Sequence, residues 1–192
     1  MKLIQGALLI GTLFACSHLF GQRDKIYKGL ESIQNVSPDS VYRLDLSKSK
    51  LEEIPSIIFS FKNLQELDLS KNKLSHLKGI EVFKDLRILN LTKNKFETFP
   101  LEICQVTSIR NLFLGKNNIK VIPPCIGQLQ SLIVLDMWYN PIDDLPEELT
   151  QLRNLRSLDL SGLNFSQSFQ KEWNEKLPWV KIEFEAACDC NK

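Results

Sequence analysis

Few residues in this chain have the types and spacing that catalysis needs. The two histidines, His18 and His76, lie far apart, and neither belongs to a credible Ser/His/Asp or Cys/His arrangement. The acidic pairs at 143–144 and 147–148 fall in a turn and at a predicted helix start, where solvated acids are common. Glycine-rich phosphate loops are absent from the sequence. We therefore expect no enzyme activity and no cofactor.

The first residues resemble an export signal. Met1-Lys2 is a minimal positive start, and the stretch 3–14 is apolar apart from two residues, too short to span a bilayer. Leu13-Phe14-Ala15-Cys16 resembles a bacterial lipobox, which would make Cys16 the lipidated first residue, although Phe14 is bulky for that motif. Secretion after cleavage at Ser17 or Gly21 is the alternative. We expect an exported chain with a leader at 1–21, held at a membrane only through a lipid anchor.

Composition excludes several classes of protein. The chain has 192 residues, of which 43% are hydrophobic and 24% charged, with 24 Lys and Arg against 23 Asp and Glu. These values describe an ordinary folded protein and exclude disorder, collagen and a multi-span membrane protein. A net charge of +1 provides no bulk attraction to nucleic acid.

One pattern, LxxLxLxxNxL, repeats six times at offsets of 23, 22, 23, 23 and 23 residues. Its copies begin at Val41, Leu64, Leu86, Ile109, Leu132 and Leu155. The fourth and sixth positions alternate like inward residues of a strand, and most copies continue with an apolar-proline return. No copy can bury its apolar side alone, so stacked copies must share one core and one parallel sheet.

This pattern is the signature of leucine-rich repeats, and the chain resembles bacterial secreted or lipoprotein members with 23-residue LPxxI-type units. The resemblance implies an α/β solenoid, or horseshoe. It has one parallel concave β-sheet, short helical or 3-10 returns on the convex side, and N- and C-terminal helical caps. Family members carry an asparagine ladder just after each strand, which here corresponds to Asn72, Asn94, Asn117 and Asn140. An amide that both donates and accepts can satisfy the turning backbone there.

The ends of the solenoid have their own patterns. Apolar residues at helical spacing predict an N-terminal cap at 22–40, with a helix over 24–35, before six repeats at 41–165. A second helix over 166–177 and a degenerate strand over 179–184 predict a C-terminal cap at 166–185, which resembles the caps of bacterial relatives. Trp173 is expected in the core of this cap. Residues 186–192 form a tail.

The remaining cysteines allow two interpretations. Cys104 and Cys125 lie in adjacent returns but two register positions apart, so we interpret them as small buried or half-exposed residues, with a disulfide as the less favoured alternative. Cys188 and Cys190 on the tail could form half of a metal or redox site, but the chain lacks a complete zinc set, so no metal site is predicted. Without Cys16 an even set of four remains, with three pairings.

The outward strand positions predict a binding surface. These positions are polar at both ends of the sheet and apolar in its middle, and Gly115 should leave room for the indole of Trp138. Exposed apolar patches mark interfaces, and Trp and Tyr are favoured anchors. The predicted partner-binding residues are Ile88, Phe113, Val134, Asp136, Trp138 and Tyr139. Aspartates frame this patch, and lysines at the eighth positions form a row along one edge, where solvated charge is the simplest interpretation.

We therefore predict a protein-binding module that acts through its concave sheet at the bacterial surface or in the medium. The resemblance implies adhesion or host interaction, with a host or bacterial protein as ligand. Two alternatives remain open: homotypic assembly into a dimer, and a minor metal or redox role of Cys188 and Cys190.

Overall fold

The computed structural model describes residues 23–185, which form one open parallel sheet with the strands in chain order. The strands are β1 (Ile26–Lys28), β2 (Arg43–Asp45), β3 (Glu66–Asp68), β4 (Ile88–Asn90), β5 (Asn111–Phe113), β6 (Val134–Asp136), β7 (Ser157–Leu160) and β8 (Lys181–Phe184). Each strand after β1 comes from one repeat or from the C-terminal cap. The predicted leader with Cys16, and the tail with Cys188 and Cys190, lie outside the described residues.

The returns between strands are short 3-10 turns. Their bounds are Leu30–Ile33, Pro38–Ser40, Ser56–Ser60, Ile80–Val82, Leu101–Gln105, Pro124–Gln128 and Glu147–Gln151. An α-helix, α1, spans Gln167–Lys176. The repeated prolines lie in extended conformation just before their turns, as Pro55 and Pro146 show. The second repeat lacks this proline and begins its turn at Gly79, whose φ of 91° is left-handed. This architecture confirms the leucine-rich repeat solenoid.

The core runs the length of the stack between the sheet and the returns. The fourth-position leucines of β2 to β7 and the central apolar residue of each return are at most 2% exposed: Leu44, Leu67, Leu89, Leu112, Leu135, Leu158, Ile58, Ile80, Ile103, Ile126 and Leu149. Apolar burial of this kind contributes about 25 cal/mol for each Å² removed from water. Because each repeat covers only its neighbours, the stack is stable as an array and not as single units.

The N-terminal cap differs from the prediction. The expected helix over 24–35 is replaced by β1, which pairs in parallel with β2, and by a short 3-10 turn at Leu30–Ile33. Tyr27 is buried while Ile26 is 43% exposed, an alternation that fits a strand and not a helical face. A strand here supplies partners for backbone groups at the edge of β2 that a crossing helix would leave unpaired.

The C-terminal cap agrees with its predicted elements. Ser166 caps α1 by accepting a hydrogen bond from the Phe169 N–H at 3.2 Å, and the helix ends before Leu177 and Pro178. Trp173 is 2% exposed, which confirms that it belongs to the core. Strand β8 then pairs with β7 along its full length. Within residues 23–185, no helix combines the length and the apolar composition needed to cross a membrane.

Cys104 and Cys125 form a disulfide, so their interpretation as separate small residues is wrong. The two Cα atoms are 5.8 Å apart. Cys104 lies in the turn of the third repeat and Cys125 in that of the fourth, offset by two positions. The tight 3-10 backbone brings the late position of one turn close to the early position of the next. The bond fastens two neighbouring repeats on the convex side.

Candidate functional site

The ladder asparagines hold the concave strands in register. Asn140 accepts from the Ile119 N–H at 3.1 Å and donates to the carbonyls of Leu114 and Met137 at 3.0 and 2.9 Å, so one amide joins two repeats. The other three make equivalent bonds: Asn72, Asn94 and Asn117. Each amide satisfies backbone groups where the chain leaves the sheet, which fixes the strand end and the residues that follow it.

The outward positions of the strands form three parallel rows across the sheet. The fifth-position row places Phe113 on β5 directly opposite Asp136 on β6, which is opposite Asp159 on β7. In the third-position row, Asn111 separates Ile88 from Val134. Phe113 is therefore diagonal to both apolar residues, a separation of about 7–8 Å that an aromatic side chain can bridge.

The aspartates of the fifth-position row have a local structural role that the sequence analysis missed. Asp45 accepts a hydrogen bond from the Ser47 N–H at 2.9 Å, and Asp159 accepts one from the Ser161 N–H at 2.9 Å. The same short-range bond recurs at Asp68, Asn90 and Asp136. An Asp or Asn two residues before the donor is the sequence signal for this turn. Phe113 is the exception in the row, since it cannot make the bond.

Trp138 and Tyr139 form the aromatic end of the predicted patch. Their rings meet edge to face with centroids 5.5 Å apart, and the Lys116 ammonium lies 4.8 Å from the Trp138 ring centroid. Tyr139 is 60% exposed, whereas Trp138 is half-buried. A cation over an aromatic face contributes about 0.5–1 kcal/mol at an exposed site and helps to hold the rings in place.

Two glycines make room for these rings. A Cβ atom built on Gly115 would overlap the indole of Trp138, which confirms that this glycine accommodates the ring. A Cβ on Gly162 would meet the Tyr139 ring in the same way. Trp138 thus extends over the fourth repeat and Tyr139 over the sixth. The pair spans three repeats in a fixed arrangement.

Phe113 and Ile88 belong to an open groove that extends toward the N-terminal strands. The groove has a volume of about 250 Å³, and its charged walls include Lys28, Arg43 and Glu66. Arg43 and Glu66 are paired at 2.6 Å, so their charges largely compensate each other. The predicted site residues therefore share one face, but they occupy two adjoining parts of it: a groove with Phe113, and an aromatic edge with Trp138.

Burial and neighbouring carboxylates raise the pKa of the Asp136 carboxyl from 3.8 to about 6. Desolvation is the largest cause, followed by the charges of Asp159 and Glu183, and the hydrogen bond from the Trp138 N–H opposes the shift. The three carboxylates occupy adjacent places in one row across β6, β7 and β8. Like charges in directly opposed positions disfavour ionisation of the most buried member.

This shift makes stability depend on pH at Asp136. Below pH 3.8 the carboxyl is protonated in both states; between pH 4 and 6 only the unfolded chain releases the proton, so stability falls as pH rises. We expect Asp136→Asn to match the wild type near pH 3.5. By pH 7.5 the variant should be more stable by about 1 kcal/mol, a value reduced for solvent screening. Urea unfolding across this pH range measures the difference, and parallel curves for the two proteins would contradict it.

Within residues 23–185, no three His, Cys, Asp or Glu side chains converge in a way that could hold a metal ion. The face therefore combines aromatic area, the Arg43–Glu66 ion pair and an acidic row in which Glu183 is paired with Lys181 at 2.6 Å. An exposed aromatic area beside charged groups is suited to binding.

A parallel sheet built from stacked repeats, with an asparagine ladder at its strand ends, defines a repeat solenoid, a class of protein whose members generally bind other proteins. The leucine rich repeat family matches residues 39–96 and 107–165, more than half of the chain, and the chain belongs to that family.

Curated relatives match parts of the repeat region. The volume-regulated anion channel subunit LRRC8D of Rattus norvegicus is 34% identical over 99 residues, covering 50% of this chain and 11% of that protein. Toll-like receptor 6 of Bos taurus is 37% identical over 68 residues, covering 31% of this chain and 9% of the receptor. The chain thus spans about a tenth of the length of these relatives, and the likeness concerns the repeats.

Solved structures match nearly all of the described residues. A leucine-rich repeat protein of Leptospira interrogans superposes with a TM-score of 0.70 at 32% identity, covering 85% of this chain and 47% of that one. Internalin C2 of Listeria monocytogenes gives a TM-score of 0.66 at 20% identity, covering 82% of this chain and 66% of that one, which shows the fold alone.

Proposed function

We propose that this protein recognises a protein partner through the concave face of its sheet, with Trp138, Tyr139 and Phe113 as anchors. The observation that carries the proposal is the aromatic pair held over Gly115 and Gly162. Glycine stands at the seventh position of this repeat, where four other repeats have Ser or Thr, such as Thr92. Rings held in place before binding lose little conformational entropy when a partner arrives.

The acidic row defines what the partner must offer beside its apolar contact. Asp136 and Asp159 face the same space as Phe113 and carry charge without a basic partner among the described residues. A Lys or Arg of the partner would compensate this charge and fix the orientation of the complex. Because such a group favours the ionised carboxylate, affinity should increase as pH rises through the pKa of Asp136, about 6.

Two substitutions test this site in different ways. Trp138→Ala removes the indole and should weaken partner binding by about 2 kcal/mol or more, roughly 30-fold. Gly115→Ser introduces the residue type of neighbouring repeats but displaces the indole, so it should weaken binding similarly while the core stays intact. Ser70→Gly, at the same position of another repeat, is the matched control. Affinity capture with the immobilised solenoid and then surface plasmon resonance with the captured protein measure these effects.

The outcomes separate the proposals. A partner held equally well by wild type and by both patch variants would exclude this surface. Sedimentation of the same proteins tests homotypic assembly, since a dimer that the patch variants abolish would make the second copy the partner. Circular dichroism should show unchanged folding in all variants, because none of the substitutions removes a side chain of the buried apolar core.

We further propose that the protein is exported from a bacterium. The disulfide supports this, since such bonds persist mainly in oxidising compartments, and the leader predicted at 1–21 agrees with it. Lipidation at Cys16 would retain the protein at the cell envelope, and cleavage after Ser17 or Gly21 would release it. Mass spectrometry of the mature N-terminus distinguishes an acylated Cys16 from a free terminus, and an uncleaved Met1 would contradict export.

A further inference from the structure

Seven lysines lie along one flank of the solenoid, where the chain leaves the sheet. They occupy the eighth and tenth positions of the first four repeats: Lys48, Lys50, Lys71, Lys73, Lys93, Lys95 and Lys116. All seven are exposed, and we call this surface the lysine flank. Among the described residues only Lys73 has a carboxylate partner, Glu52 at 3.2 Å. A chain with a net charge of +1 thus concentrates positive charge on one side.

Five of these lysines have a backbone conformation that lysine does not favour. The φ angles of Lys48, Lys71, Lys93 and Lys116 lie between 54° and 60°, and Lys50 has a φ of 59°. Left-handed backbone is unfavourable for most L-residues, whereas Gly and Asn adopt it readily. Gly162 at the eighth position of the last repeat has the same backbone sign. Stability therefore does not account for lysine at these places.

The eighth-position lysines form a regular line. The N–H of Lys71 bonds to the carbonyl of Thr92 at 2.8 Å, and that of Lys93 to the carbonyl of Gly115 at 2.9 Å, so successive lysines advance one repeat at a time. Neighbouring strands are about 4.8 Å apart. Alternate side chains of an extended peptide are about 6.6 Å apart, so their spacing differs from that of the lysines. The length of one pyranose residue in a linear polysaccharide does match the spacing between successive lysines.

The line ends on an aromatic ring. Tyr139 occupies the eighth position of the fifth repeat, with a φ of 51°, and is 60% exposed. The Lys116 ammonium is 5.1 Å from its ring centroid. An exposed tyrosine face can stack on the apolar face of a sugar ring, while ammonium groups donate hydrogen bonds to sulfate or carboxylate anions in many orientations. The flank is only two lysines wide, which fits a linear chain better than a planar headgroup layer.

We propose that the lysine flank binds a linear anionic polysaccharide that carries sulfate or uronate groups. The chain lies along the eighth-position lysines, with one sugar residue near each repeat, and its end reaches Tyr139. This surface is distinct from the concave groove and adjoins the protein-binding patch only at Lys116 and Tyr139. A polysaccharide bound to the lysine flank therefore leaves Phe113 and the acidic row accessible.

The test uses Lys71→Asn/Lys93→Asn, which removes two charges away from the concave patch. Asparagine suits left-handed backbone, so we expect unchanged or higher stability in urea. Affinity for heparin at physiological salt should fall about tenfold or more, and the slope of log affinity against log salt should decrease by about two. The control is Lys62→Asn/Lys84→Asn, which removes the same charge from exposed residues on the opposite flank. It should leave the affinity for heparin and its salt dependence unchanged.

Each result decides the proposal. Equal losses in the two double variants, or no loss in either, would overturn it. So would polyglutamate that binds as tightly as heparin of equal charge, which would make the ligand an acidic peptide, or tight binding only to vesicles of phosphatidylcholine and phosphatidylglycerol. Phe113→Ala removes a proposed anchor of the protein partner but lies in the concave groove, away from the lysine flank, so it should bind heparin normally. Failure of the protein-binding site and failure of the lysine flank therefore give different patterns.

Discussion

Replacing Asn140 with alanine is expected to lower the free energy of unfolding by about 3 kcal/mol or more. The substitution leaves the Ile119 N–H and the Met137 carbonyl without this partner, in a place where Asn140 is only 3% exposed. The Leu114 carbonyl also loses the Asn140 amide and keeps only the bond from Asn117. Each buried polar group left unsatisfied costs about 1–3 kcal/mol. Urea unfolding followed by circular dichroism measures the loss.

A second substitution at Asn140 separates hydrogen bonding from packing. Asn140→Asp keeps the acceptor for the Ile119 N–H but cannot donate to the two carbonyls, so it should also destabilise the protein strongly at neutral pH. Asn118→Ala, an exposed asparagine one repeat earlier, should change stability by less than about 0.5 kcal/mol. Similar stabilities for Asn140→Ala and Asn118→Ala would show that the ladder amide is dispensable.

Loss of the Cys104–Cys125 disulfide should have an effect of comparable size. The bond closes a loop with a sequence separation of 21, and cross-linking a loop of that length stabilises a protein by about 3 kcal/mol in the chain-entropy account. We expect the double variant Cys104→Ala/Cys125→Ala to unfold at lower urea concentration. After treatment with reductant, the wild type should unfold at nearly the same urea concentration as the variant.

Reductant supplies the control for this prediction. It should not affect the Cys104→Ala/Cys125→Ala variant, because that variant lacks the bond. Mass spectrometry of the native protein digested without reduction should show a peptide that joins residues 104 and 125. A free thiol at both positions in the native protein, or wild-type stability in the variant, would contradict the predicted contribution.

The repeats determine most of the fold, because a periodic apolar pattern specifies the same strand and return six times. The register that places Phe113 opposite Asp136 follows from the spacing alone. The N-terminal strand was missed because Ile26, Tyr27 and Leu30 also fit a helix, and only the unpaired edge of β2 decides between the two. Edge pairing is a tertiary constraint that local periodicity does not contain.

The candidate site was predictable in outline but not in detail. Column positions identified the apolar residues of the concave face, and the space at Gly115 for the indole followed from its missing side chain. The disulfide was not predictable, because register alone places the two cysteines apart and the tight turns bring them together. The turn bonds of the aspartates could have been found from the recurring Asp or Asn two residues before Ser or Thr.

The disulfide between the third and fourth repeats limits how far local unfolding can spread from either end of the repeat array. Arrays of this kind fray inward from their termini, and a cross-link stops a fraying front. Phe113 and Gly115 lie on the fastened side, whereas Trp138 and Tyr139 lie one repeat beyond it. The proposed recognition surface therefore includes residues on both sides of the point where fraying stops. A bound partner would slow amide exchange in the fifth repeat as well as in the fourth.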